Sequence, residues 1–172
     1  MPHGNVTEVI PASAADVFQL IHDYRRRLEW DTLLQEAFLT DGFTEAAQGA
    51  TSVCRGCRCL GGIALKTQYV TYRPGKIAAV KMINRPPFFA SFAATIRHRD
   101  LGLAESAVEY LFTFEARPKW LRTVLNPLMN AVLTWETRKR LRALKRFFEL
   151  HPISPLGDKG SQVGSPCGPT EC

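Results

Sequence analysis

Few side chains in this sequence pair a reactive group with neighbours that could use it. Cys54, Cys57 and Cys59 form a C-x-x-C-x-C cluster. Thiolates at such spacing can ligate zinc or copper, and Arg55 and Arg58 would favour their deprotonation. In a regular strand, however, Cys57 and Cys59 share a face while Cys54 points away, unless Gly56 opens a bulge. A structural zinc site also wants a fourth ligand, and the remaining cysteines, Cys167 and Cys172, are distant. Reduced strand cysteines are therefore expected, with no metal and no other cofactor. His98 has the parity of an inward-facing residue, but it stands between Arg97 and Arg99 and is expected at a rim. Tyr69 and Tyr72 have opposite parity, so at most one of them faces inward. His22 and Asp23 close a helical pattern, where a histidine commonly meets the last carbonyls. Glu109 and Glu115 point outward. No carboxylate pair and no Ser/His/Asp set emerges, so the sequence assigns no catalytic residue beyond the weak candidates His98 and Tyr69.

A second class of residues could bind rather than react. Val108, Tyr110, Phe112 and Phe114 alternate along one face of a strand, and Phe92, Ala94, Ile96 and His98 form a comparable set on the one before. This aromatic face must be covered. Leu121, Leu125, Leu128, Val132 and Trp135 recur at three- and four-residue steps and can supply the cover, with Leu141, Leu144 and Phe148 continuing the stripe. Candidate walls of a greasy pocket are then Val80, Met82, Phe92, Ile96, Tyr110, Phe112 and Phe114 on the sheet side, faced by Leu125, Leu128, Met129, Val132 and Trp135. Taken singly, each of these is better read as plain core, since an aromatic stripe must pack somewhere. The pocket reading gains because three helices rarely fill the concave face of a seven-stranded sheet.

The elements that must position these residues follow in a simple order. Asn5 to Ile10 reads as a strand. Ser13, with Asp16 three residues on, is close to a capping box for a helix whose apolar face is Val17, Phe18, Leu20 and Ile21. Leu28, Trp30, Leu33 and Leu34 suggest a second short helix. Period-two patterns then predict strands over Glu36–Thr40, Thr51–Cys59, Ile63–Arg73, Lys76–Asn84, Phe89–Arg99 and Glu105–Glu115. Pro74-Gly75 predicts a tight hairpin. Short connections between consecutive strands imply an antiparallel meander. A long helix over Lys119–Leu150 is expected to kink or restart at Pro127. Residues 151–172, rich in Gly, Pro and Ser, are expected to form a disordered tail after a domain spanning 1–150.

This order, and several of the residues, resemble the START-like or helix-grip superfamily of polyketide cyclases/dehydrases and lipid-transport proteins. Val9-Ile10-Pro11-Ala12-Ser13, then Val17-Phe18, Leu20-Ile21, Asp23 and Trp30-Asp31, are similar to its opening signature. Gly49-Ala50-Thr51 resembles its glycine before the third strand, and Tyr72-Arg73-Pro74-Gly75 its hairpin. The resemblance runs from Asn5 to Leu150. It implies an α+β fold in which a seven-stranded curved antiparallel sheet wraps a long C-terminal helix, with two short N-terminal helices. It also implies a cavity between sheet and helix that receives hydrophobic or amphipathic molecules.

Length and composition agree with these expectations. The 172 residues are 45% hydrophobic and 22% charged, enough for one substantial core. No apolar run approaches the length of a spanning helix, and Met1–Val9 lacks a signal-peptide core, so a cytoplasmic location is the default. The net charge is +6 and much of it sits in Arg138, Lys139, Arg140, Arg142, Lys145 and Arg146. A solvated helix face is the ordinary reading of that run; peripheral contact with an anionic membrane through Arg138–Arg146 is the alternative. No nucleic-acid motif is present. The expected function is to carry or sense a hydrophobic or amphipathic small molecule such as a lipid, quinone, sterol or polyketide. Cyclase, aromatase or dehydratase chemistry in the same cavity comes second, and a membrane- or protein-interaction module third. The sequence does not fix ligand or oligomeric state.

Overall fold

The computed structural model of the chain describes residues 1–57 and 61–152. Cys59 and the expected tail from residue 153 onward lie outside the described residues. Seven strands, β1 (His3–Ile10), β2 (Leu34–Thr40), β3 (Thr51–Gly56), β4 (Ala64–Arg73), β5 (Ile77–Met82), β6 (Phe89–Gly102) and β7 (Glu105–Ala116), form one sheet in the order β1-β7-β6-β5-β4-β3-β2. Every neighbouring pair is antiparallel. The helices are α1 (Ala14–His22), α2 (Arg27–Trp30) and α3 (Arg122–Leu150). The first and last strands in sequence pair with each other, so β2 through β7 form a meander that β1 completes at one edge.

Local chemistry explains the boundaries. Ser13 caps α1, its Oγ accepting from the Asp16 N–H at 3.2 Å and donating to the Asp16 carboxylate at 2.5 Å. The β4–β5 turn closes through Lys76 N–H to Arg73 C=O at 3.1 Å. Gly75 there sits at φ +71°, as a Pro-Gly turn requires. Gly4 lies directly beneath the Phe112 ring, where a Cβ would approach the ring carbons to 2.2 Å; the ring can seat there only over a glycine.

α3 runs unbroken through Pro127, where the sequence predicts a kink or a fresh start. Thr123, whose carbonyl the proline leaves without its helical donor, is exposed along with Pro127. Water can satisfy that carbonyl, so the ladder tolerates the gap.

The two halves of α3 are used differently. In its C-terminal half Leu141, Leu144 and Phe148 are buried against Val6 and Ile10 of β1, Val108 of β7, and Val17, Leu20, Ile21 and Trp30 from the short helices. In its N-terminal half none of the apolar residues reaches that degree of burial. This half stands away from the sheet, and a cavity lies beneath it.

Candidate functional site

The cavity has a volume of about 610 Å³, within the range of small-molecule sites. Val80 of β5, Phe89, Phe92 and Ile96 of β6, and Tyr110 and Phe112 of β7 form its floor. Leu125, Leu128, Met129, Val132 and Leu133 of α3 roof it. Phe88, Leu128 and Val132 both line the cavity and are exposed, which places its mouth between the Pro87-Phe88 loop and the N-terminal half of α3. Phe88 is held at this mouth with φ +67°, a conformation that a large side chain adopts only under constraint. Its carbonyl accepts from Arg117 N–H at 2.8 Å.

Nine of the twelve residues expected on the wall by alternation and helical spacing are there: Val80, Phe92, Ile96, Tyr110, Phe112, Leu125, Leu128, Met129 and Val132. Three are not. Phe114 is fully buried in the core with Phe89 and Phe112, and Met82 packs against the same cluster at the end of β5. Trp135 is 67% exposed. At 3.6 residues per turn it falls about 120° round the helix from Met129, on the outer side of Leu128, and so faces solvent.

The opposite end of the cavity is polar, and single-strand parity could not find it. Residue Val70 is a bulge: Tyr69 pairs with Val80, but Thr71 pairs with Ala79 and Tyr72 with Ala78. The extra residue resets the alternation, so Tyr69 and Tyr72 share a face, with ring centroids 5.6 Å apart. This corrects the expectation that at most one of them faces inward. Tyr69 OH then sits 2.9 Å from His22 Nδ1 and 3.0 Å from Tyr24 OH. All three residues line the cavity. His22 thus meets a phenol rather than the last carbonyls of α1. Burial, followed by the Arg27 and His98 charges, holds its pKa well below the ordinary histidine value, so the ring is neutral at pH 7. Burial pushes Tyr24 up to about 12 and Tyr69 well above the ordinary tyrosine value.

His98 is not at a rim. β6 continues to Gly102, and Phe18 of α1 covers the ring at 5.1 Å. The residue is 7% exposed and is absent from the cavity wall. Neither ring nitrogen has a hydrogen-bond partner among the described residues, and burial pushes its pKa down to about 4.

Beside the tyrosines lies a buried ion triad. Asp31 Oδ2 accepts from Arg27 Nε at 3.0 Å and from Arg140 Nη2 at 2.7 Å, while Oδ1 accepts from Arg140 Nε at 3.0 Å and from Leu33 N–H at 3.3 Å. Arg27 also donates to the Ile21 carbonyl. Burial opposes the charge of Asp31, but Arg140 and Arg27 override it and lower its pKa. Burial likewise opposes both guanidiniums, and Asp31 overrides it in each case. Arg140 therefore does not belong with the basic surface run. Arg138, Lys139, Arg142 and Arg146 are exposed, whereas Lys145 pairs with Glu8 at 3.5 Å.

Cys54 is a free thiol on the cavity wall, its pKa raised by burial. Cys57 is disulfide-bonded, where the sequence reading has reduced thiols. Among the described residues no group of three His, Cys, Asp or Glu could hold a metal ion. None of their helices is long and apolar enough to cross a membrane.

Solved structures share this architecture. An aromatase/cyclase, Zhui from Streptomyces sp. R1128, is 13% identical with a TM-score of 0.75, the match covering 91% of this chain and 98% of that one. A START superfamily protein from Mycobacterium smegmatis is 13% identical at TM-score 0.73, over 88% and 99% of the two chains. The protein XoxI from Bacillus cereus is 16% identical at TM-score 0.70, over 90% and 100%. No curated protein matches the sequence. The sequence model of one family, described as polyketide cyclase / dehydrase and lipid transport, matches residues 1–149, and with a helix-grip fold built over that same span, the chain belongs to this family.

Proposed function

We propose that the protein binds a hydrophobic or amphipathic small molecule between the sheet and α3, as a carrier or sensor. The observation that carries this reading is the 610 Å³ cavity, with Phe89, Phe92, Phe112, Met129 and Leu133 on its walls. Removing apolar surface from water there would drive binding at roughly 25 cal/mol per Å². The test is native mass spectrometry of the purified protein with solvent extraction, followed by titration with the neutral fluorophore Nile red. A stoichiometric apolar adduct, or saturable uptake of the dye that Met129→Trp abolishes, is expected. A clean mass together with no dye uptake overturns the reading.

A catalytic use of the same cavity, of the cyclase or dehydratase kind, is favoured by one observation. The Tyr24–Tyr69–His22 chain places a phenol on the wall beside a neutral imidazole. Such a pair can lend a proton from the phenol to a substrate oxygen and take it back at the same atom as the product forms. The neighbouring aromatase/cyclase structure supports this reading by fold alone.

Peripheral membrane contact is favoured by a different feature. Trp120, Val124, Leu128 and Trp135 are 80%, 63%, 58% and 67% exposed. They form one stripe along the start of α3 and the turn before it, beside the cavity mouth. Exposed Arg117, Lys119, Arg138, Lys139 and Arg142 flank it.

A further inference from the structure

The cavity is chemically divided along α3. Leu125, Leu128, Met129, Val132 and Leu133 come first, then Glu136, Thr137 and Arg140. From Leu125 to Arg140 is about 22 Å at 1.5 Å per residue. The polar end also receives Arg27, Tyr24, Tyr69 and His22.

At that end the ion triad holds one cation in excess. Two guanidiniums share one carboxylate, and Asp31 is saturated: each of its oxygens already accepts two hydrogen bonds. Arg140 Nη1 and Arg27 Nη2 have no acceptor among the described residues. Trp30 and Tyr110 lie against the two guanidinium planes, at 4.8 and 5.7 Å. They hold the planes in place without supplying an anion. His22, Tyr24, Tyr69 and Cys54 are uncharged at pH 7, from the directions of their shifts. Glu136, four residues before Arg140 on the same helix, makes no ion pair with either arginine. A purely structural ion pair needs one arginine; the second is left without a carboxylate of its own, since Glu136 pairs with neither. Burying an uncompensated cation is unfavourable, and a planar guanidinium fork matches an anionic pair of oxygens.

We infer that the molecule this cavity takes bears an anionic oxygen group, a carboxylate or its enolate or phenolate counterpart. That group docks on Arg140 and Arg27, with the apolar body running toward Phe92 and Met129. The inference rests on the reading of the cavity as a small-molecule site. Calorimetric titration with dodecanoate and with methyl dodecanoate separates the two, since the probes share an apolar chain and differ in the charged end. Dodecanoate is expected to bind at least tenfold more tightly than the ester. Arg140→Gln should shrink the acid-to-ester affinity ratio toward one. Arg140→Lys keeps a cation opposite Asp31, guards against a folding failure, and should retain part of the preference. Equal affinities for acid and ester in the unmodified protein overturn the inference and leave the cavity reading standing; binding of neither overturns both.

Discussion

Asp31 is the residue on which the polar end of the cavity depends. Its side chain is fully buried and it is the only anion that Arg27 and Arg140 meet among the described residues. Removing one member of a buried ion network leaves the others uncompensated, typically at a cost of about 3–5 kcal/mol. Asp31→Asn should therefore lower the unfolding free energy by about that amount in urea denaturation at pH 7. Because the carboxylate's pKa is depressed in the folded state, its contribution is present above the unfolded value and is lost as pH falls through the folded one. Combining Asp31→Asn with Arg140→Met removes one of the stranded cations and should recover part of the loss. A strictly additive double variant would mean that the two side chains do not cooperate.

At the scale of elements, α3 has one half that holds the fold together and one half that covers a cavity, and its outer surface differs accordingly. The exposed stripe through Trp120, Val124, Leu128 and Trp135 has the amphipathic, tryptophan-bearing character of a helix that lies at a lipid interface. Each nearby Lys or Arg adds about 1 kcal/mol at an anionic surface. The protein should therefore co-sediment with phosphatidylserine-containing vesicles at low salt and much less with phosphatidylcholine alone. Trp120→Glu with Trp135→Glu should abolish the association while Nile red uptake persists, and no sedimentation of the unmodified protein ends the membrane reading. Leu128 lies in both the stripe and the cavity wall, so such docking would bring the mouth against the lipid. Periodicity shows the helix, the strands and most of the wall, because alternation in β5 to β7 and the three-four step in α3 are regular over long spans. It does not show the polar end. The Val70 bulge breaks parity midway along β4, and Arg140 lies in a run of cations that reads as surface. Arg27, Asp31 and Arg140 are brought together only by tertiary packing of α2 on α3, and nothing local marks a cation that turns inward. Trp30-Asp31 was legible as part of a motif, without the ion network that Asp31 serves.

For the whole molecule, the consequence of burying histidines under α1 is a particular acid sensitivity. His22 and His98 are both buried and packed with Phe18, their own ring centroids 6.4 Å apart. Burial depresses both pKa values, His98 to about 4 from an ordinary 6.5. Between those pH values the unfolded chain binds protons that the folded one does not, so stability rises with pH across that window and falls as acid is added. The His98 contribution is fully present above about pH 6.5, declines below it, and stops changing below about pH 4. For that one residue the loss between pH 7 and pH 5 is on the order of 2 kcal/mol. The Asp31 carboxylate contributes later, since it titrates below its ordinary value of 3.8. Urea denaturation at pH 7, 6 and 5 should show stability declining well before Asp31 titrates. His98→Phe replaces an imidazole whose nitrogens have no hydrogen-bond partner among the described residues by a ring of similar shape against Phe18, and it should flatten the decline by about the stated amount while His22 keeps a residual slope. A pH profile that is flat from 7 to 5 in the unmodified protein, or one that His98→Phe leaves unchanged, would show that the region under α1 opens to water without global unfolding.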